Sequence, residues 1–562
     1  MTATLPATTP VVVPTTALPT PADPAPSTEP ILEPPIPPVS AGSSPRDIWH
    51  RHWRDVLIAV PIALSIVVLL AWNITGYPGA TDDEGTYLAQ AWAVRNGLGL
   101  AHYTYWYDHP PLGWIGLAAL SWVPELISPD GLSVAAGRVA MLPVALVTLL
   151  LTYVVSRRLG LPRWGAALAL LAYGLSPLAV TMMRQIYLDS FAVMWMMLAL
   201  ALALTPRRHL WAYAGAGAAA AVAVLSKETV AVVLPAVGLA VWQSTRRTGV
   251  RPWSVAAFVA GLVLVGAFYP LYASIKGELV PGEGHVSLLG AIDYQLHSRT
   301  GSGSAFTAGS NSNLLVHAWL YYDVVLPVGG VVAMVVALFI RRLRVPAVAT
   351  LLLVLVAVRP GGYLPAMYVV QALPFLAIVL AGVIALTVGA LLGARTRPAR
   401  ASGSPRPTAP WLAVRRVVGA VAVAVLGVVA VAYVAPRWYD GDRRAVVTNA
   451  NATYERAAVW LRTNLTADST VVTDDVLWLD VVRSGVPREN VIWFYKLDLD
   501  PGVAAQLPRG WRDVDYIVST PAMREDPDAG SLPNVEAALR NSQTVVSFGN
   551  GADRIEIRRV IS

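Results

Sequence analysis

Long apolar runs recur from Val56 to Val434, each separated from the next by a short polar stretch. A run such as Val56–Ile74 is long enough to cross ~30 Å of hydrocarbon as a helix. The main solvent of such a chain is lipid, and its fold class is that of a polytopic α-helical membrane protein. The balance agrees, since 55% of the 562 residues are hydrophobic and only 14% are charged. A pI near 9.5 would suit nucleic acid or anionic lipid. The arginines, however, sit in short tracts between apolar runs, where they set topology, and no nucleic-acid site is read. There is no cysteine, which excludes disulfides, thiolate metal ligation and a cysteine nucleophile.

Residues 1–45 are mostly Pro, Thr, Ala and Ser and cannot bury enough surface to offset the entropy of ordering, so a disordered cytoplasmic tail is expected. The membrane region follows over 46–435, with a Pro- and Arg-rich cytoplasmic linker at 394–411. Val56–Ile74 reads as an uncleaved anchor. Because Lys and Arg are retained on the cytoplasmic side, the tracts at Arg157–Arg163, Arg207–Arg208, Arg246–Arg251, Arg341–Arg344 and Arg395–Arg416 belong inside. The apolar segments between them then pair into hairpins. About eleven spans result, with the N-terminus cytoplasmic and the C-terminus outside. Leu112–Ile127 is set apart as a helix on the outer interface, since counting it as a span would reverse every later loop. After Pro436 helix and strand signals alternate, and a small extracytoplasmic α/β domain is predicted over 436–562.

With topology taken from arginine alone, the unusual polar groups fall almost entirely on the outer side. Asp82, Asp83, Glu84, Asp108 and His109 share the first outer loop, Arg184 and Asp189 the second hairpin tip, Lys227 and Glu228 the third, Arg359 and Tyr363 the fifth. The long fourth loop adds Glu278, Glu283, His285, Asp293 and His297. Singly, each reads as an interfacial residue ending a helix. Together, acids and cations on one face suit a site that handles an anionic phosphate and an acceptor hydroxyl.

The order of these residues resembles the GT-C class of polyprenyl-phosphate-sugar-dependent glycosyltransferases, in particular family 39 and the aminoarabinose transferases that modify lipid A. The resemblance runs from about Val56 to about Ala381. The acidic D-E-x-x-Y motif of the first outer loop is present as Asp83, Glu84 and Tyr87. A basic residue before Pro-Pro-Leu is His109 ahead of Pro110, Pro111 and Leu112. Arg184 with Leu188 and Asp189, Lys227 ahead of Pro235, and Arg359 and Pro360 ahead of Tyr363 and Pro374 match the later motifs. Three departures stand out: His109 replaces the more typical lysine, Glu228 follows Lys227 where glycine is common, and Asp82 adds an acid before the pair.

The resemblance implies transfer of a sugar from a polyprenyl-phosphate donor in the bilayer to an acceptor hydroxyl of the cell envelope (protein, lipid or glycan), with inversion at the anomeric carbon. The acceptor needs a carboxylate to take its proton and the departing phosphate needs cations. Asp83 is then the base, with Glu84 positioning the acceptor or binding a metal. Arg359, Lys227, Arg184 and His109 are candidates for the donor phosphate, and Tyr87, Asp189, Tyr363 and Asp82 for substrate contacts, with Trp106 and Tyr107 beside the sugar. No cofactor is assigned. Glu84, His109, His285 and His297 leave a divalent metal open, but no short fixed spacing unites them. The rival readings are a lipid-linked sugar flippase or transporter, which tends to carry inverted repeats and midplane charges, and a non-catalytic envelope assembly factor.

Overall fold

The computed structural model describes residues 45–99, 107–123, 131–206, 209–246, 249–282, 285–359, 361–392, 410–525 and 529–561. The expected tail before Pro45, linker residues 394–409, Trp106, Glu283 and Pro360 lie outside the described residues. Five helical stretches among the described residues are long and apolar enough to cross a membrane: Trp53–Ala71, Ser133–Arg158, Arg251–Ile275, Ala366–Leu391 and the stretch from Val417 onward in the helix Pro410–Val447. Two bent helix pairs reach spanning length only when each pair is counted together, Arg163–Gly174 with Pro177–Arg184 at 63° and Asn311–Tyr322 with Val325–Leu338 at 105°. That gives seven spans at most by length, and four further apolar helices are shorter, so the eleven expected spans are not all of spanning length. Leu112–Leu120 is a short helix of 9 residues.

The two bends meet. Asp323, in the break of the second pair, is buried and accepts a hydrogen bond from the Ser176 hydroxyl in the break of the first at 2.6 Å. It also caps the following helix through the Val325 N–H at 2.7 Å and accepts from Trp438 Nε1 at 3.1 Å. Freed backbone groups at a break inside a membrane need such partners; here one buried carboxylate satisfies the N–H groups that follow the second break and ties that break to the Ser176 hydroxyl of the first. Elsewhere small residues bring helices together. A Cβ on Gly217 would run into the Phe258 carbonyl, and one on Gly261 into the Ala214 carbonyl, so the Leu210–Ser226 and Arg251–Gly266 helices touch backbone to backbone.

The last membrane helix does not stop at Pro436, where the sequence pattern changes, but runs over Pro410–Val447. The Trp438 contact to Asp323 holds the extension against the core. Beyond it come the helix Ala452–Asn464 and five strands: β1 (Val471–Thr473), β2 (Val491–Trp493), β3 (Tyr516–Ser519), β4 (Ser542–Phe548) and β5 (Ile555–Val560). Their order is β2-β1-β3-β5-β4, with β2, β1 and β3 parallel and β5 antiparallel to both β3 and β4. The carboxyl ends of parallel strands are where open α/β sheets present functional groups. Here Asp474 and Asp475 follow β1 and Tyr495 and Lys496 follow β2.

Candidate active site

The acidic motif opens the helix Asp82–Arg95, all three acids lying in its first turn, where the helix dipole favours negative charge. Consecutive residues on a helix point about 100° apart, and the two motif carboxylates therefore face different surroundings. Asp83 is exposed. Glu84 has no exposed surface. It meets Arg138 in a two-point pair, Nε to Oε1 at 2.8 Å and Nη2 to Oε2 at 2.6 Å, and accepts from the Ile186 N–H at 3.0 Å and the Thr81 N–H at 3.2 Å. Arg138 in turn donates to the carbonyls of Pro78 at 2.6 Å and Gly79 at 3.1 Å. With its oxygens so occupied, Glu84 acts as a brace for the loop and helix that carry Asp83.

Arg184 is turned inward as well, both Nη groups occupied and only its buried Nε without a protein partner among the described residues. Its guanidinium donates to the carbonyls of Leu69 at 2.7 Å, Trp72 at 3.0 Å and Ala445 at 2.7 Å, tying the end of the first span to the last membrane helix. That geometry leaves it fully buried and turned onto backbone carbonyls.

Lys227, 2% exposed, does reach the site. Its Nζ lies 2.7 Å from His109 Nε2, while His109 Nδ1 lies 3.1 Å from Glu228 Oε2. Both contacts are satisfied when the ammonium donates to Nε2 and Nδ1–H donates to Glu228, so His109 orients the lysine and Glu228 orients the histidine. The ammonium also sits 5.9 Å from the Tyr87 ring centroid. Around this chain stand polar atoms with no protein partner among the described residues: Tyr87 OH, Asp108 Oδ1, Asp189 Oδ2 and Gln371 Oε1, all buried. Gln371 Nε2 holds the other Asp189 oxygen at 2.6 Å. Buried polar groups are ordinarily satisfied, and four unsatisfied ones around one lysine describe a place shaped for a polar ligand. Burial raises the Asp108 carboxyl above its usual range, against the pull of His109 and Lys227. A cavity of about 430 Å³ opens from Asp108 towards Ser287, Tyr294 and Gln295 of the fourth loop.

The remaining candidates lie towards the rim. Arg359 is exposed but close enough to act electrostatically on Tyr368, which also feels Asp189. Tyr363 is 43% exposed and stacks under the Arg299 guanidinium at 3.5 Å. Asp82 is exposed and faces Tyr454 of the C-terminal region electrostatically. Tyr107 donates to Glu278 at 2.5 Å. His285 and His297 bond locally, to the Val286 carbonyl at 2.9 Å and to Asp293 at 2.8 Å. Among the described residues no three His, Asp or Glu side chains gather as metal ligands.

Sequence reasoning did not find the roof. A Cβ on Gly85 would collide with the Asp475 carbonyl, so the glycine inside the acidic motif is what lets the sheet region sit directly on the helix. Thr86 then donates to Asp475 Oδ1 at 2.7 Å, and Tyr495 donates to the same oxygen at 3.2 Å. Lys496, 6% exposed, lies over the Trp493 ring at 4.9 Å and within electrostatic reach of Asp475 and Asp108. Burial lowers its ammonium pKa, partly offset by Asp500. A second tie is Asp480, which accepts from the Ser133 N–H at 3.1 Å.

This interface titrates. Burial, reinforced by the charge of Asp474 and opposed by the Thr86 hydroxyl, pushes the Asp475 carboxyl up to about 7. Released from the interface, the group would ionise near 3.8. The folded state therefore holds an extra proton between those values, and stability falls as pH rises through that window, the loss being complete above about 7. The melting temperature of the purified protein should drop by several degrees across it, and Asp475→Asn should remove the part near neutrality. Asp480, pushed up to about 6, keeps a residual slope at lower pH. A wild-type profile flat up to pH 8, or an unchanged slope near pH 7 in the variant, would count against this account.

The sequence profile of the dolichyl-phosphate-mannose-protein mannosyltransferase family matches residues 108–269, a stretch that holds Asp108, His109, Asp189, Lys227 and Glu228. The structure of ArnT from Cupriavidus metallidurans in the apo state superposes with a TM-score of 0.55 at 19% identity, covering 91% of this chain and 98% of that one. The fold is GT-C-like. The same ArnT bound to undecaprenyl phosphate gives a TM-score of 0.54 at 16% identity over 90% of this chain and 98% of that one. No curated protein sequence matches the chain.

Proposed function

We propose that the protein is an integral membrane glycosyltransferase that moves a sugar from a polyprenyl-phosphate donor to an acceptor hydroxyl at the outer face. The observation that carries this reading is the chain from the buried Lys227 through His109 to Glu228, with four buried polar atoms around it that have no protein partner among the described residues. The arginine asymmetry supports the outer placement, and the undecaprenyl phosphate held by the ArnT of similar fold supports the donor class. In this reading Lys227 takes the departing phosphate, aided by Arg359 at the rim, whose planar fork suits two-point contact. Asp83 takes the acceptor proton as attack proceeds, and the sugar is inverted. Tyr87, Asp108 and Asp189 contact the sugar and acceptor, Glu84 and Arg184 hold the scaffold, and Lys496 closes the site from the sheet region.

The test is release of polyprenyl phosphate. Purified protein incubated with radiolabelled polyprenyl-phosphate sugars and an envelope extract should label an acceptor and free the lipid phosphate. Lys227→Met should weaken donor binding by at least about tenfold, as for a lost hydrogen bond to a charged group. Movement of intact labelled lipid across a bilayer without release would instead favour a flippase, and unchanged donor binding in Lys227→Met would move the phosphate site.

A further inference from the structure

Four guanidiniums gather at the end of the helices opposite the acids. The Glu228–Ser244 helix starts beside Lys227 and runs away from the site to Trp242, where Arg251–Ile275 begins its return and Arg344–Ala357 sets out towards Arg359. Between these ends lies a cavity of about 440 Å³ whose lining includes Trp242, Gln243, Arg246, Arg251, Arg341 and Arg344, and no carboxylate lines it among the described residues. The Arg251 guanidinium lies over the Trp242 ring at 4.3 Å, which sets its plane. Its Nε is buried without a protein partner among the described residues. Arg344 gives its Nε to the Leu338 carbonyl at 3.1 Å, leaving both Nη groups for another acceptor.

Topology alone accounts for scattered, hydrated arginines at this end. It does not account for four that line one half-open cavity, Arg246, Arg341 and Arg344 exposed and Arg251 half-buried, with no carboxylate among its described lining residues, because like charges brought together cost free energy until an anion joins them. Guanidinium forks match phosphate oxygens in pairs. The depth selects the source of that phosphate: Trp211, Trp242 and Trp253, at this same end, are 88%, 53% and 68% exposed, as in the aromatic belt at headgroup level. We infer that the cavity binds the phosphate of an anionic phospholipid headgroup, a site separate from the acidic end and independent of the activity proposed above. Basic pockets between membrane helices suit such headgroups.

The full chain, purified in detergent, should retain one added phosphatidylglycerol or cardiolipin in native mass spectrometry and should not retain phosphatidylcholine. Arg251→Gln with Arg344→Gln should weaken that retention on the order of tenfold or more, from the loss of two surface cations. Replacing the same two by lysine should keep part of it. If the double variant does not fold, Arg246→Gln and Arg341→Gln tested singly read the same site. Equal retention of phosphatidylcholine, or no change in any variant, would overturn the site. Displacement of the lipid by millimolar inorganic phosphate would overturn the lipid assignment in favour of a soluble anion.

Discussion

Asp83→Asn should lower turnover by about two to four orders of magnitude while leaving donor affinity near its original value. An amide keeps the shape and hydrogen-bonding reach of the carboxylate but cannot accept a proton at neutral pH, and general-base catalysis contributes about that much. The structure sharpens the expectation. Of the two motif acids Asp83 is the exposed one, and its charge is felt by Tyr87 and Asp475, on the two sides of the candidate site. Asp82→Asn should be mild, since Asp82 lies outside the motif and faces Tyr454. Parallel measurement of donor affinity and product formation decides between the acids. A larger loss in Asp189→Asn than in Asp83→Asn, with donor binding intact in both, would hand the base to the buried carboxylate whose Oδ2 has no protein partner among the described residues.

How far the sequence speaks can be seen in neighbouring residues. Polar groups set into apolar runs stand out because lipid tolerates few of them, and the structure brings His109 and Lys227 into contact, with Asp189 within electrostatic reach of both. What the motif cannot say is which way each member points. Asp83 and Glu84 read alike as letters, yet one is exposed and the other carries a buried ion pair. Arg184 reads as a phosphate ligand because it is a cation at an outer helix end, but three backbone carbonyls claim it. Arg138 was legible and missed. It starts a span at the acidic end, against the arginine asymmetry that places the others, and such an exception asks for a buried partner. Asp475 and Lys496 were not legible at all, because more than three hundred residues separate them from the acidic motif and only folding brings them together. Pro436 misled for a local reason: proline removes one helical hydrogen bond, but the packing of Trp438 on Asp323 carries the helix through.

Arg138→Met should be the most damaging change to the fold itself. Neither partner of the Glu84–Arg138 pair has exposed side-chain surface, so removing the guanidinium strands a carboxylate away from water. Breaking a buried pair from one side costs about 3–5 kcal/mol, whereas replacing both charges with apolar groups of similar volume is often close to neutral. Here neutrality is not expected in full, because Arg138 also satisfies the Pro78 and Gly79 carbonyls and Glu84 satisfies the Ile186 and Thr81 N–H groups. The double variant Glu84→Gln with Arg138→Met should therefore recover much of the stability lost in Arg138→Met, as read by the melting temperature of the purified protein and the fraction that elutes monodisperse. It should not recover turnover to the same extent, since the brace places the turn that presents Asp83. Recovery of both together would make the pair purely structural, and a single-variant loss no greater than that of a surface substitution would show that the carboxylate finds water after all.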